Sequence, residues 1–228
     1  KSLIRFLDPD DSQIRDIVVK RIRFIENKMG ILPHKGFSPL FEGDDIYLPK
    51  SEEKRYWDDF IVKSSRQRPR DSIQLIDILA KYSIEKKYEI IKATIIEKAL
   101  EEYANDRVED LAMEFANDCT EVKQLIRTFT KCKFSMNIEE AKDHIKTIPS
   151  SFSISIRGIP IRPDNNEGIM MLWNFIHEIG FLNPCTRDDR MPKGYRHIMY
   201  SENPNFVSVS NLNEMREAVW EIHPAYRS

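Results

Sequence analysis

The sequence predicts a mainly α-helical protein with a small β component, and three observations carry that reading. Apolar residues recur at helical spacing through most of the segments between residues 11 and 133, and again over 167–179. Apolar and polar residues alternate only in short stretches after about residue 148. With 41% hydrophobic and 32% charged residues, the chain has the composition of a globular protein with a heavily charged surface.

Taken in order, "DSQIRDIVVKRIRFIENKM" (11–29) reads as an amphipathic helix. Ile14, Ile17, Val18, Ile22 and Ile25 are on helical spacing, and Asp11 or Ser12 is the expected cap. Arg15, Lys20, Arg21 and Arg23 fall on the other faces. Residues 30–50 hold three glycines and three prolines without lasting periodicity and read as a long irregular connection with short extended pieces. A short helix is expected over 53–62 with Tyr56, Trp57, Phe60 and Ile61 inward. Ile73, Leu75, Ile76, Ile78, Leu79 and Tyr82 then mark a helix apolar round much of its circumference, which asks for burial among neighbours. Ile95, Ile96, Ala99, Leu100 and Tyr103 form the next. Val108, Leu111, Ala112 and Phe115, then Val122, Leu125, Ile126 and Phe129, continue the helical run.

In the second part, "SSFSISI" (150–156) reads as a strand or a polar irregular segment. A strong helix over 167–179 stops at Gly180. Beyond it come a charged loop, "TRDDRMPKGY", two extended stretches, "RHIMYS" and "FVSVS", and a last helix around Glu214 to Trp220. Helices followed by a helix and a two-stranded hairpin are the order of a winged helix-turn-helix. The division expected is 1–52 as an N-terminal helix plus connection, 53–133 as a helical bundle, and 134–228 as a winged-helix-like domain.

Composition and motifs exclude several function classes. The net charge of −2 supplies no global field for nucleic acid or anionic lipid. No apolar run approaches the roughly 18 residues of a membrane span, and the first residues lack the pattern of a signal peptide. Three scattered cysteines without a C-x-x-C pair suit reduced thiols, and a cytoplasmic location is expected. Glycine-rich phosphate loops, H-E-x-x-H and G-x-S-x-G do not occur, so the chain shows no recognisable catalytic centre. No metal ligation follows from the spacing of His34, His144 and His197. His177 reads as a core or boundary residue, and His223, before Pro224, as a structural hydrogen-bonding group. Trp57, Trp173 and Trp220 read as core anchors.

One short stretch stands out. "SSRQRPRDSI" (64–73) sets three arginines and a proline in five residues at a helix start, the end that already carries partial positive charge. Pro69 suits the first helical position, where its missing N–H costs nothing. Free backbone amides beside a guanidinium can bind phosphate there. The plainer reading pairs Arg68 and Arg70 with Asp58 or Asp59.

Several strings together, "WDDFIVKSSRQRPRDSIQLIDILA", "IIEKALEEYANDRVEDLAMEF", "LWNFIHEIGFL" and "EIHPAYR", resemble the C-terminal part of a group of bacterial P-loop ATPases of AAA-like or STAND-like type. The resemblance covers roughly residues 55–228 and implies a lid-like bundle followed by a winged-helix-like end; residues 1–52 would then include the end of the ATPase core. It implies that Arg70, with Arg68, senses nucleotide, as the arginine of the G-x-P-R lid motif does. Two positions depart from that pattern. Gln67 stands where the motif has glycine, and Lys92 where a threonine commonly caps the next lid helix.

No cofactor is expected in this chain. ATP and Mg²⁺ are expected only with a P-loop domain, which makes an upstream ATPase domain the implied partner and the intact protein an ATPase. The resemblance also implies that the C-terminal end contacts DNA or a protein, with Arg187, Arg190, Lys193 and Arg196 in a wing-like loop; an oligomer remains open. Residues 121–228 hold 14 Lys and Arg against 13 Asp and Glu, too balanced for strong phosphate-driven affinity. The alternative is a stand-alone DNA-binding or protein-interaction module without nucleotide coupling.

Overall fold

The structure, a computed structural model, describes residues 10–28, 30, 32, 37, 40–48, 53–65, 68–190 and 194–227. It is mainly α-helical with small antiparallel strand pairings. Two compact units divide the chain, residues 1–105 and 106–227. The division lies inside one helix, Ile96–Glu114.

In the first unit, helix α1 (Asp11–Lys28) packs on α2 (Trp57–Lys63) and α3 (Pro69–Glu85). Ile14, Val18 and Ile22, one turn apart, form its buried stripe, whereas Ile17 and Ile25 stay exposed. The α1 cap is Asp10, one residue earlier than expected. Its Oδ1 accepts from the Gln13 N–H at 2.8 Å, and Gln13 Oε1 accepts from the Asp10 N–H at 3.1 Å, a reciprocal capping box. The expected helix from residue 53 begins only at Trp57. Residues Glu53–Tyr56 (β2) instead pair antiparallel with Asp45–Leu48 (β1), and Tyr56 is exposed, not inward. Tyr56 is extended (φ −67°, ψ 144°), which releases the chain into α2 and turns Trp57 against Phe41, ring centroids 4.6 Å apart. A Tyr103 hydroxyl donating to the Ser64 carbonyl at 2.7 Å ties α4 (Ile96–Glu114) to the turn after α2.

The second unit holds α5 (Val122–Arg127), β3 (Ser135–Met136), α6 (Ile138–Ser151), the hairpin β4 (Ile154–Ile156) and β5 (Ile159–Ile161), α7 (Asn166–Glu178), β6 (Leu182–Arg187), β7 (Tyr195–His197), α8 (Leu212–Glu217) and β8 (Val219–Ile222). Strands β3, β8, β6 and β7 form one antiparallel sheet in that order. Its inner face carries Met136, Leu182, Pro184, Trp220 and Ile222 by register and alternation. Trp220 meets Trp173 of α7 at 4.7 Å and Phe206 at 6.0 Å.

Two features of this unit were not read from the sequence. A β-hairpin, not a tight turn, connects α6 to α7, and β8 lies between β3 and β6. "FVSVS" is not a strand: Phe206 and Val207 are buried in a bent segment that leads into a short helical turn, Val209–Asn211. The last helix stops at Glu217, and Trp220 belongs to β8, where its indole N–H donates to the Met215 carbonyl at 3.3 Å. All three tryptophans are core residues, at most 2% exposed. No described helix is long and apolar enough to cross a membrane.

Candidate functional site

The arginine-rich helix start was the leading site in the sequence. Pro69 is the first residue of α3, and Arg68 precedes it in extended geometry (φ −116°, ψ 114°) with no side-chain cap. Arg70 lies on the first turn, exposed, and forms no ion pair among the described residues. Asp71, beside it, is buried. Arg66 and Gln67 lie outside the described residues. The two carboxylates expected to take these arginines have other partners: Asp58 pairs with Arg15 at 2.9 Å and Asp59 with Lys63 at 3.0 Å. The helical turn Ala93–Ile95 begins at Lys92, whose backbone is extended but whose side chain caps nothing. Its ammonium instead lies 4.9 Å from the Tyr88 ring centroid and 3.7 Å from Glu42. The departure from threonine therefore leaves this helix start without a side-chain cap.

The loop arginines of the second unit are largely neutralised in place. Arg187 Nε donates to Asp189 Oδ1 at 2.9 Å, and Arg190 reaches both Asp188 oxygens at 2.9 Å. Arg196 pairs with Asp188 at 3.5 Å and with Glu202 at 3.2 Å. Hydrogen bonds from Arg190 draw the Asp188 carboxyl down to about 2. Lys193 lies outside the described residues. Asp and Arg within a few residues satisfy one another locally, leaving little unpaired cation for phosphate among the described residues of this loop.

A third grouping was not legible in the sequence. On the outer face of the sheet, Cys185 of β6 is the direct cross-strand partner of His197 of β7. Glu221 of β8 follows two positions after Val219, the partner of Cys185 on the other side. Cys185 Sγ, a His197 ring nitrogen and a Glu221 carboxylate oxygen lie within 4.8 Å of one another. His197 Nε2 is 3.0 Å from Glu221 Oε2, and Arg227 Nη2 donates to the same oxygen at 3.2 Å. The His197 hydrogen bond, with Arg227, lowers the Glu221 pKa. Burial, with the Glu221 charge nearby, pushes the Cys185 thiol up to about 11. A thiol held that high is no nucleophile by itself. Because the three residues come from separate strands, no linear spacing announces them.

His177 and His223 are structural, and His34 lies outside the described residues. His177 is fully buried, and its Nε2 hydrogen-bonds the Ile198 carbonyl at 2.9 Å. His223 Nδ1 accepts from the Ala225 N–H at 3.1 Å and caps the final helical turn, Pro224–Tyr226. A groove of about 310 Å³ beside α7, lined by Met170, Met171, Asn174, Val207 and Val209, is mostly apolar and brings no reactive groups together.

No curated protein and no solved structure matches the chain. Residues 12–112, which span α1 through nearly all of α4 and include the Arg68–Arg70 helix start, match the family model of a FunZ-associated C-terminal helical domain.

Proposed function

We infer that this chain is a non-catalytic regulatory and interaction region of a P-loop ATPase, sensing nucleotide state through α3 and contacting a partner through its second unit. The observation that carries this reading is Arg70. It stands exposed on the first turn of a long helix, where an anion is favoured, while Asp58 and Asp59 are held by Arg15 and Lys63. The match of residues 12–112 to a C-terminal helical domain supports an accessory role within a larger protein.

In this mechanism the phosphate is bound mainly by the ATPase core, and Arg70 adds one charge-assisted contact to its terminal oxygens. Loss of the γ-phosphate weakens that contact and shifts α3 between two arrangements. The stand-alone DNA-binding alternative draws little support from Arg187, Arg190 and Arg196, which already have carboxylate partners.

The test is Arg70→Ala in the whole protein, read by ATP turnover and by the difference in partner binding between ATP and ADP states. A fall of about tenfold in turnover or loss of the ATP–ADP difference, with Arg70→Lys in between, supports the reading. Unchanged behaviour, or an upstream sequence without G-x-x-x-x-G-K-[ST], overturns it.

A further inference from the structure

We propose that Cys185, His197 and Glu221 form a binding site for a Zn²⁺-type transition-metal ion on the outer face of the four-stranded sheet, with a fourth coordination position open to water. The inference goes beyond the nucleotide reading and does not rest on it.

Donor chemistry is the first argument. One thiolate, one imidazole and one carboxylate suit Zn²⁺, whereas Mg²⁺ and Ca²⁺ take oxygen donors alone. Three protein ligands plus one water is the arrangement of open zinc sites.

Geometry is the second. With Zn–S of about 2.3 Å and Zn–N and Zn–O of about 2.0–2.1 Å, tetrahedral angles set the donor atoms about 3.3–3.6 Å apart. The three donors already lie within 4.8 Å of one another, and the His197–Glu221 pair, at 3.0 Å, needs to open by only a few tenths of an ångström. The backbones come from adjacent hydrogen-bonded strands, so the ligands are held on rigid elements with their Cα positions set by register.

Access and support complete the case. Cys185 is buried, but the His197 and Glu221 side chains are 39% and 24% exposed, giving an ion a route from solvent. Arg227 lies behind the carboxylate: its Nε donates to the Ile222 carbonyl at 2.6 Å, its guanidinium lies over the Phe134 ring at 5.6 Å, and its Nη2 orients Glu221. It is an outer-shell positioning residue of the kind that fixes a ligating carboxylate. Asn183, two positions before Cys185 and opposite Glu221 on the same face, has a buried Oδ1 without a hydrogen-bond partner among the described residues, an acceptor suited to a metal-bound water. Binding releases the Cys185 proton to solvent as the thiolate forms, and the metal replaces the His197–Glu221 hydrogen bond.

The test uses the 228-residue chain, stripped with a chelator and reduced, then titrated with Zn²⁺ against a chromophoric competitor and separately with Co²⁺. The expected result is one equivalent bound, with the visible bands of tetrahedral Co²⁺ and an ultraviolet thiolate-to-metal charge-transfer band. Cys185→Ser removes the charge-transfer band, while Cys119→Ser and Cys132→Ser leave it unchanged. His197→Ala and Glu221→Gln each weaken Zn²⁺ binding about tenfold or more. Circular dichroism of each variant separates a lost ligand from a lost fold, and Glu221→Gln, near-isosteric, serves if His197→Ala does not fold. Absence of stoichiometric binding, or a charge-transfer band that survives Cys185→Ser, overturns the proposal.

Discussion

Arg157 and Asp118 are joined twice: the Arg157 backbone N–H donates to the Asp118 carbonyl oxygen at 2.6 Å, and its Nε donates to Asp118 Oδ1 at 2.8 Å. Arg157 holds a left-handed backbone (φ 51°) and, with Gly158 (φ 78°), forms the two-residue turn of the β4–β5 hairpin. Its Nη2 also reaches Glu178 at the end of α7. A β-unbranched residue in this strained turn is thus held by two carboxylates.

Replacing Arg157 separates those contributions. Arg157→Ala keeps the backbone strain and loses both ion pairs. The side chain is half exposed, so the expected cost is only about 1 kcal/mol. Arg157→Gly loses the same pairs but relieves the positive φ, and should be closer to wild type than alanine. Urea unfolding of the two variants checks the order. Equal stabilities would mean the left-handed turn stores no strain.

Trp173 is the largest test of the second core. It is 2% exposed and packs on Trp220. Truncation to alanine should cost about 3–5 kcal/mol. Its indole N–H is buried without a hydrogen-bond partner among the described residues. Trp173→Phe removes that donor as well as volume and should cost far less than alanine, about 1–2 kcal/mol. Denaturant midpoints measure both.

His177 sets a pH dependence. Burial lowers its pKa, and Nδ1 has no hydrogen-bond partner among the described residues. The unfolded chain binds that proton below about pH 6.5 while the folded chain does not, so stability must fall with acid from that point, by at most about 1.4 kcal/mol per pH unit for this group. His144, also lowered by burial, acts in the same direction. In His177→Gln the loss between pH 7.5 and 5.5 should shrink, as thermal unfolding at the two pH values will show. An unchanged acid loss would assign the effect elsewhere.

Asn137 begins α6. Its side chain accepts from the Glu140 N–H at 2.9 Å, and Glu140 Oε2 accepts from the Asn137 N–H at 3.0 Å. Asn137→Ala should cost about 1 kcal/mol, and Asn137→Asp should retain most of the stability. Chemical denaturation distinguishes them, and equal losses would make the cap unimportant.

Much of the helical skeleton was legible before the structure. The stripe Ile14–Val18–Ile22, the apolar α3 and the helix ending at Gly180 all follow from periodicity, because burying one face of a helix leaves a local imprint every three to four residues. The α6 helix was not assigned, although Asn137 and Glu140 stand three apart in the pattern of a capping box. Glu53–Tyr56 and Trp220 were assigned to helices because each segment adjoins a true helix. Cross-strand partners, Asp45–Leu48 for one and Leu182–Cys185 for the other, decided against it.

The sites divide along the same line. Local chemistry was enough to place Arg70 on the first turn of a helix, since Pro69 and the apolar run behind it are neighbours in sequence. The fate of Asp58 was not, because Arg15 comes from a distant helix, whereas Asp59 pairs with Lys63 one turn on in its own helix. By itself the sequence determined where most of the longer helices lie and roughly which face of each is apolar, since those are short-range consequences of backbone periodicity. Only the tertiary structure decided which strand lies beside which, and so brought Cys185, His197 and Glu221 together. Register between strands is a long-range choice made by packing of the sheet's inner face around Trp220, and the outer face inherits whatever neighbours that choice creates.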